Sequence, residues 1–316
     1  MNLFEDLIIN DGSKDGTSEI GHHYETMYPD TFRVIDKDNG HYGSCVNAGL
    51  ARAQGKYVKI LDADDYLASG FVDYLSYLDQ TFADLVLTDS ITIDEKGNEL
   101  SKKQFPFSQF DTMNIQCLGD NGINVLNHFN ITWKTTILKE MGYRQTEGLS
   151  YTDLEWSTLP VSRITSFAYC PTIVYCYLKG RSGQSVDIEY RKNNMWMENK
   201  VVLGLASIFE ESKDEIPADN ASLLKQITAY HVQHVYFHYL INYPHDLNEQ
   251  ELVSFDDNLK SSSPMLYDFI SETQDIRKFG TFHYIRDFRK KGTRNTLKYA
   301  YYDACFAIKS LIKKNN

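Results

Sequence analysis

The chain has 316 residues, 42% hydrophobic and 24% charged, enough to bury a sizeable core as one large domain with an appendage or as two domains. Its net charge of -11 argues against nucleic acid as the main ligand, and the charge is uneven, with +9 from Arg277 to Asn316 and -20 before it. There is no apolar run of the roughly 20 residues needed to span a bilayer and no basic-then-apolar leader pattern after Met1; five scattered cysteines without a C-x-x-C pair suggest neither a disulfide framework nor a structural zinc site, so a reduced, cytoplasmic protein is expected.

Short β-branched runs alternate with helical segments through the first sixty residues. Strand 6–10 leads to a helix near 17–28, strand 32–36 to a helix near 43–54, and strand 57–62 to a helix near 69–80. This is the rhythm of a parallel sheet covered by helices. Strands over 84–93 and 164–178 follow, with a turn at Glu95-Lys96-Gly97-Asn98. Beyond about residue 190 the pattern becomes helical over 191–214, 219–242 and 247–260, broken by Pro217 and Pro244. A last stripe of Leu297, Tyr301, Ala304, Ile308 and Leu311 has lysines beside it, so this basic tail is either a core-facing helix or a contact to an anionic membrane face or acidic partner.

Chemistry concentrates at strand ends. Leu61-Asp62-Ala63-Asp64-Asp65-Tyr66 places three carboxylates in four positions, and unpaired carboxylates are too costly to bury, so they face a cation or solvent. On an extended chain Asp62 and Asp64 share one side, with Asp65 at the turn beyond. Such oxygen ligands suit Mg²⁺ or Mn²⁺, whose remaining positions are commonly filled by phosphate oxygens and water. A second acidic turn, Asn10 to Thr17, follows strand 6–10; its glycines allow the backbone to bend or approach a ligand. His128 reads as structural, and Trp133 and Trp156 either stack on a sugar ring or pack in a core.

Three segments together resemble the family 2 glycosyltransferases: Ile8-Ile9-Asn10-Asp11-Gly12-Ser13-Lys14-Asp15-Gly16-Thr17, Asn39-Gly40-His41-Tyr42-Gly43-Ser44-Cys45-Val46-Asn47-Ala48-Gly49-Leu50, and Ala53-Gln54-Gly55-Lys56-Tyr57 running into Leu61-Asp62-Ala63-Asp64-Asp65. Leu149 to Trp156 resembles the acceptor-side acidic motif of that family, with Thr152 where Glu is common and Asp153 keeping the carboxylate. The segment Tyr177 to Ser185 resembles the one that closes the catalytic domain.

The resemblance implies an α/β protein of GT-A type, a nucleotide-diphospho-sugar transferase-like mixed sheet over 1–190 with a helical C-terminal region over 191–316. It implies an inverting, metal-assisted transfer from a nucleotide-sugar donor, UDP-linked by expectation, to a glycan or lipid-linked acceptor. Asp153 is then the general base, Asp64 with Asp62 or Asp65 holds Mg²⁺ or Mn²⁺, and Asp11, Gly12, Ser13, Asn39, Gly40, His41, Asn47, Asp62 and Arg181 bind the donor. The alternative is an inactive sugar-nucleotide binder or assembly partner of a polysaccharide synthesis complex. Members of the family begin with an apolar strand ending in Pro-x-Tyr-Asn and a helix, neither of which precedes Asp11 here. The expectation is a truncated chain of weak stability and little activity, or a narrowed sheet in which strand 6–10 pairs with strand 57–62.

Overall fold

The computed structural model describes residues 4–107, 111–181, 184, 187–243, 245–272, 283–294, 300, 301 and 304. They divide into two compact units, Met1–Asp187 with Ile216–Leu224, and Ile188–Glu215 with Lys225–Asn316.

The first unit opens with β1 (Asp6–Asn10), α1 (Thr17–Met27), β2 (Phe32–Asp36), α2 (His41–Arg52), β3 (Tyr57–Val58), β4 (Tyr66–Leu67) and α3 (Phe71–Gln80). It continues through β5 (Leu85–Ile93), β6 (Glu99–Lys103), β7 (Thr112–Asn114), α4 (Gln116–Asp120), β8 (Ile131–Lys134), α5 (Thr135–Glu140), α6 (Asp153–Thr158) and β9 (Ser166–Leu178). β1 and β2 form a parallel two-stranded sheet of their own, in register from Asp6 opposite Phe32 to Asn10 opposite Asp36. The larger sheet is mixed, in the order β3-β8-β5-β9-β4, with β6 paired to β5 and β7 to β9. Its axis is the parallel pair β5 and β9. With neighbours on both sides, β5 is buried at Leu85, Val86, Leu87, Thr88, Asp89 and Ser90, which explains its nearly continuous apolar start. Tyr74 of α3 packs on this sheet against Val86, Cys170 and Val174.

Two expectations are corrected here. Strand 57–62 is a strand only at Tyr57–Val58; beyond it the chain leaves the ladder and turns, with Asp65 N–H donating to Asp62 O at 3.0 Å. The aspartates therefore sit on a turn, not on one face of an extended segment. Nor does strand 6–10 pair with it: among the described residues β1 has ladder bonds to β2 alone, and β3 pairs antiparallel with β8. A side chain ties the two regions instead, since Glu5 Oε1 accepts the N–H groups of Gln54 and Gly55 at 2.6 and 2.9 Å.

The described secondary structure of the second unit is helical, joined by turns. It holds α7 (Ile188–Ser212), most of α8 (Ala218–Phe237), a π-turn at His238–Asn242, α9 (Glu249–Ser262), α10 (Pro264–Glu272) and α11 (Tyr284–Lys291). The core lies on one stripe of each helix: Val201, Val202, Leu205 and Phe209 of α7, Leu252, Phe255 and Leu259 of α9, and Ile285 and Phe288 of α11. Asn248 caps α9, its side chain accepting from Gln250 N–H. Most of the basic tail stripe, including Leu297, Ile308 and Leu311, lies outside the described residues. Within them Arg289 turns inward: it is partly buried, pairs with Asp256 at 2.7 Å and sits 3.5 Å from the Tyr267 ring centroid. Arg294 likewise donates to Leu240 O at 3.0 Å. No helix among the described residues is long and apolar enough to cross a membrane.

Candidate active site

The acidic turn Asp62–Asp65 and the first turn of α6 meet at His128, in the short 3-10 turn His128–Asn130 before β8. His128 Nε2 is 3.0 Å from Asp62 Oδ2, and its Nδ1 is 3.7 Å from Asp153 Oδ2. Burial works against the imidazolium, but Asp153 and Asp62 outweigh it and push His128 up to about 10. Asp62 is likewise disfavoured by burial yet held below the usual carboxylate range by His128 and Tyr42. Its second oxygen accepts from Tyr42 OH at 3.1 Å. A cation thus links a carboxylate of the acidic turn to the carboxylate of the acceptor-side motif.

Tyr175 of β9 holds the acidic turn from below, accepting from Asp62 N–H at 3.1 Å and donating to Asp65 Oδ2 at 2.7 Å. Asp65 Oδ1 accepts Leu178 N–H at 2.7 Å, so both of its oxygens are committed to β9. Burial pushes Asp65 up to about 6, although these two hydrogen bonds pull the other way. Asp64 differs: among the described residues its carboxylate accepts from Gln184 Nε2 alone, at 2.9 Å. Asp64 is therefore the carboxylate best placed to offer an oxygen to a hard divalent cation, with Asp62 beside it and Asp65 serving as an anchor.

Around these groups lies an aromatic wall in which Phe129 stacks on Tyr177, ring centroids 5.2 Å apart. Lys59 Nζ donates to Phe129 O at 2.7 Å and Ile131 O at 3.3 Å, and lies 5.4 Å from the Tyr175 ring centroid. With no ion pair to it among the described residues, burial pushes this amine down to about 7. The unfolded chain then holds a proton that the native chain lacks between pH 7 and 10.5, so stability arising from Lys59 rises with pH across that window. Lys59→Met removes the effect. The advantage of the variant over the parent in denaturant unfolding is expected to be greatest at pH 7 and to shrink by about 1.4 kcal/mol per pH unit above it. Parallel pH profiles for the two proteins would remove this assignment.

The segment carrying Asp153 is built against α2. Asn47 clamps it, Nδ2 donating to Gln145 O at 2.8 Å and Glu147 Oε1 at 2.9 Å while Oδ1 accepts Gln145 N–H at 2.8 Å. Gly148 N–H donates to Gly40 O at 3.0 Å. A Cβ on Gly43 would fall inside the Thr146 carbonyl, so only glycine permits this approach. The buried Glu155 carboxylate accepts Thr146 N–H and Oγ1–H at 2.7 and 2.6 Å, closing the loop onto α6. His41 and Tyr151 have φ of 66° and 65°, the positive-φ non-glycine residues among those described, and they border this contact. Such strain is held by its surroundings and concentrates at functional sites.

The first acidic turn is organised around Asp11. Gly12 has φ 74° as it reverses the chain. Asp11 Oδ1 accepts Gly40 N–H at 2.9 Å and pairs with Lys37 Nζ, while Asn39 Nδ2 donates to Asp11 O at 3.1 Å. Burial raises the Asp11 pKa, but Lys37 and Gly40 outweigh it and hold the carboxyl below the usual range. Ser13 N–H donates to Asn10 Oδ1 at 3.1 Å. The structure thus brings Asp11, Gly12, Asn39 and Gly40 into one knot and Asp62, Asp64 and Asp153 into a second group. Asn47 faces the Asp153 loop, Arg181 is exposed, and Ser13 and His41 are exposed at the two turns. Trp133 and Trp156 are fully buried, Trp133 Nε1 donating to Trp156 O, so neither can stack on a sugar. His128 was not legible as a site residue: it stands far in sequence from both carboxylates, and no spacing marks it.

The mixed sheet, with Asp62 to Asp65 on a turn beside it and Asp153 at the start of α6, has the architecture expected of a GT-A protein. Residues 2–141 match the family model of glycosyl transferase family 2. Among curated relatives, the minor teichoic acid biosynthesis protein GgaB of Bacillus subtilis is 23% identical over 218 residues, 67% of this chain and 24% of GgaB. The dolichyl-phosphate beta-glucosyltransferase ALG5A of Trichomonas vaginalis is 29% identical over 117 residues, 36% of this chain and 35% of that protein. The chain therefore spans about a quarter to a third of the length of these relatives. The crystal structure of S. aureus TarS 1-349 in complex with UDP-GlcNAc superposes with a TM-score of 0.57 at 18% identity, covering 83% of this chain and 74% of that one, which establishes a GT-A fold.

Proposed function

We propose that this chain is an inverting, metal-assisted glycosyltransferase that moves a sugar from a UDP-sugar to a surface glycan or lipid-linked acceptor. The observation that carries the reading is the meeting of Asp62 and Asp153 at His128, with Asp64 two residues along the same acidic turn. The donor class is supported by the TarS complex with UDP-GlcNAc, and a surface-polymer acceptor by the teichoic acid role in the name of GgaB.

The residues present fit a divalent cation: Asp64 offers a carboxylate whose one hydrogen bond among the described residues is from Gln184, and all candidate donors are hard oxygens. Mg²⁺ or Mn²⁺ held by Asp64 with Asp62 would supply charge stabilisation to the diphosphate leaving group. Asp153, at the start of α6 and partly exposed, takes the proton from the acceptor hydroxyl as it attacks the anomeric carbon. His128 keeps that carboxylate aimed into the site and offsets the repulsion between Asp153 and Asp62. Lys37 and Gly40 fix Asp11 at the first turn, where its neighbours Gly12 and Asn39 border the nucleotide.

Hydrolysis of a panel of UDP-sugars tests the reading, because a competent transferase leaks donor to water. Release of UDP in the presence of Mn²⁺, lost on chelation and in Asp64→Asn, is the expected result. Thermal stabilisation by a UDP-sugar without any UDP release would instead identify a nucleotide-sugar binder. Neither effect with any donor would overturn both readings.

A further inference from the structure

A second cluster of ionisable groups lies in the helical unit, apart from the residues described above. His234 and His238 stand four residues apart on α8 and its continuation, so their imidazoles share a helix face. Glu198 of α7 meets them: its Oε1 is 3.8 Å from His234 Nδ1 and 4.0 Å from His238 Nε2. One ligand atom from each of the three lies within 4.8 Å of the others. Glu198 and His238 are buried, whereas the His234 side chain is 35% exposed and opens the cluster to solvent.

Arg191 reveals how the cluster is protonated. Its Nη1 donates to Glu198 Oε2 at 2.6 Å and lies 2.7 Å from His238 Nε2. A guanidinium has no acceptor, so His238 Nε2 must direct a lone pair at it. Tyr243 stacks on the other side of the ring, centroids 5.4 Å apart. The chain is π-helical from His238 to Asn242, a rare local geometry that recurs at functional sites. A cationic nitrogen already stands where the carboxylate and one imidazole converge.

We propose that Glu198, His234 and His238 form a binding site for a divalent transition-metal ion, zinc foremost, with solvent as fourth ligand and the Arg191 guanidinium as the resident competitor. Two imidazoles and one carboxylate suit zinc and disfavour Mg²⁺ and Ca²⁺, which take oxygen ligands. Tetrahedral bonds of about 2.0–2.1 Å place ligand atoms roughly 3.3 Å apart, so Glu198 Oε1 needs to approach each imidazole by about half an ångström or slightly more, and no separation within the 4.8 Å cluster needs to close by more than about 1.5 Å. Binding would release Arg191 from Glu198 and so couple the ion to the start of α7.

The test uses the full chain, freed of metal by a chelator and then kept in excess Mg²⁺ so that the aspartate site is filled. Zinc is titrated by calorimetry and Co²⁺ by visible absorption, which reports tetrahedral nitrogen and oxygen ligation. One zinc ion per chain is expected, with affinity falling by about 100-fold in His234→Ala, rising in Arg191→Met, and unchanged in Asp64→Asn. No zinc uptake by the parent, or uptake that His234→Ala leaves unaltered, would overturn the site. Should His234→Ala fail to fold by circular dichroism, Arg191→Met decides: tighter zinc supports the site, and equal or weaker zinc removes it.

Discussion

Asp153→Asn is expected to lower kcat by roughly 10²- to 10⁴-fold while leaving the affinity for a UDP-sugar nearly unchanged. The amide is isosteric, so the first turn of α6 and its Glu155 anchor to Thr146 should persist. What disappears is the ability to accept the acceptor proton. Because, among the described residues, His128 at 3.7 Å is what links Asp153 to the acidic turn, removing its charge should not disturb Asp64. Donor affinity by calorimetry and turnover with an acceptor separate the two effects. A variant with full turnover would show that another group is the base.

His128→Ala is expected to have the second-largest effect, acting on stability and turnover together. Deleting the imidazole leaves Asp62 and Asp153 facing each other without the cation between them. Removing one partner of a fully buried pair costs about 3–5 kcal/mol and of an exposed pair about 0–1. With Asp62 at 22% and Asp153 at 36% side-chain exposure, an intermediate loss is expected, about 2–3 kcal/mol. Turnover should fall at least tenfold, through kcat more than KM, since the carboxylates lose their alignment. Added imidazole should restore part of kcat if His128 acts by charge and position in the site. A variant that loses stability but keeps its kcat would reduce His128 to a packing residue.

Local sequence carried most of the elements. Strand 32–36 is realised as Phe32–Asp36, and the helices near 17–28 and 69–80 as Thr17–Met27 and Phe71–Gln80, because each has the periodicity and the turn residues its geometry requires. The strand expected over 57–62 failed for a non-local reason. A run of apolar residues becomes a strand only where a ladder partner lies beside it, and here β8 accompanies Tyr57 and Val58 while the chain beyond is drawn to Tyr175 of β9. The parallel rhythm of the first segments likewise did not foretell a mixed sheet, since strand direction depends on where later strands such as β8 return.

By itself the sequence determined which residues have chemistry to offer: carboxylates at turns after apolar runs, glycines where the backbone must reverse or approach closely, and motif spacings that identify the family. Only the tertiary structure decided how those carboxylates divide their work. Asp65 is bound to β9, Asp64 retains an oxygen for a cation among the described contacts, and Asp62 and Asp153 share His128. The physical reason is that a side chain's charge state and partners depend on groups brought near it through space. An imidazole 66 residues from Asp62 leaves no trace in local periodicity until the fold sets the two 3.0 Å apart.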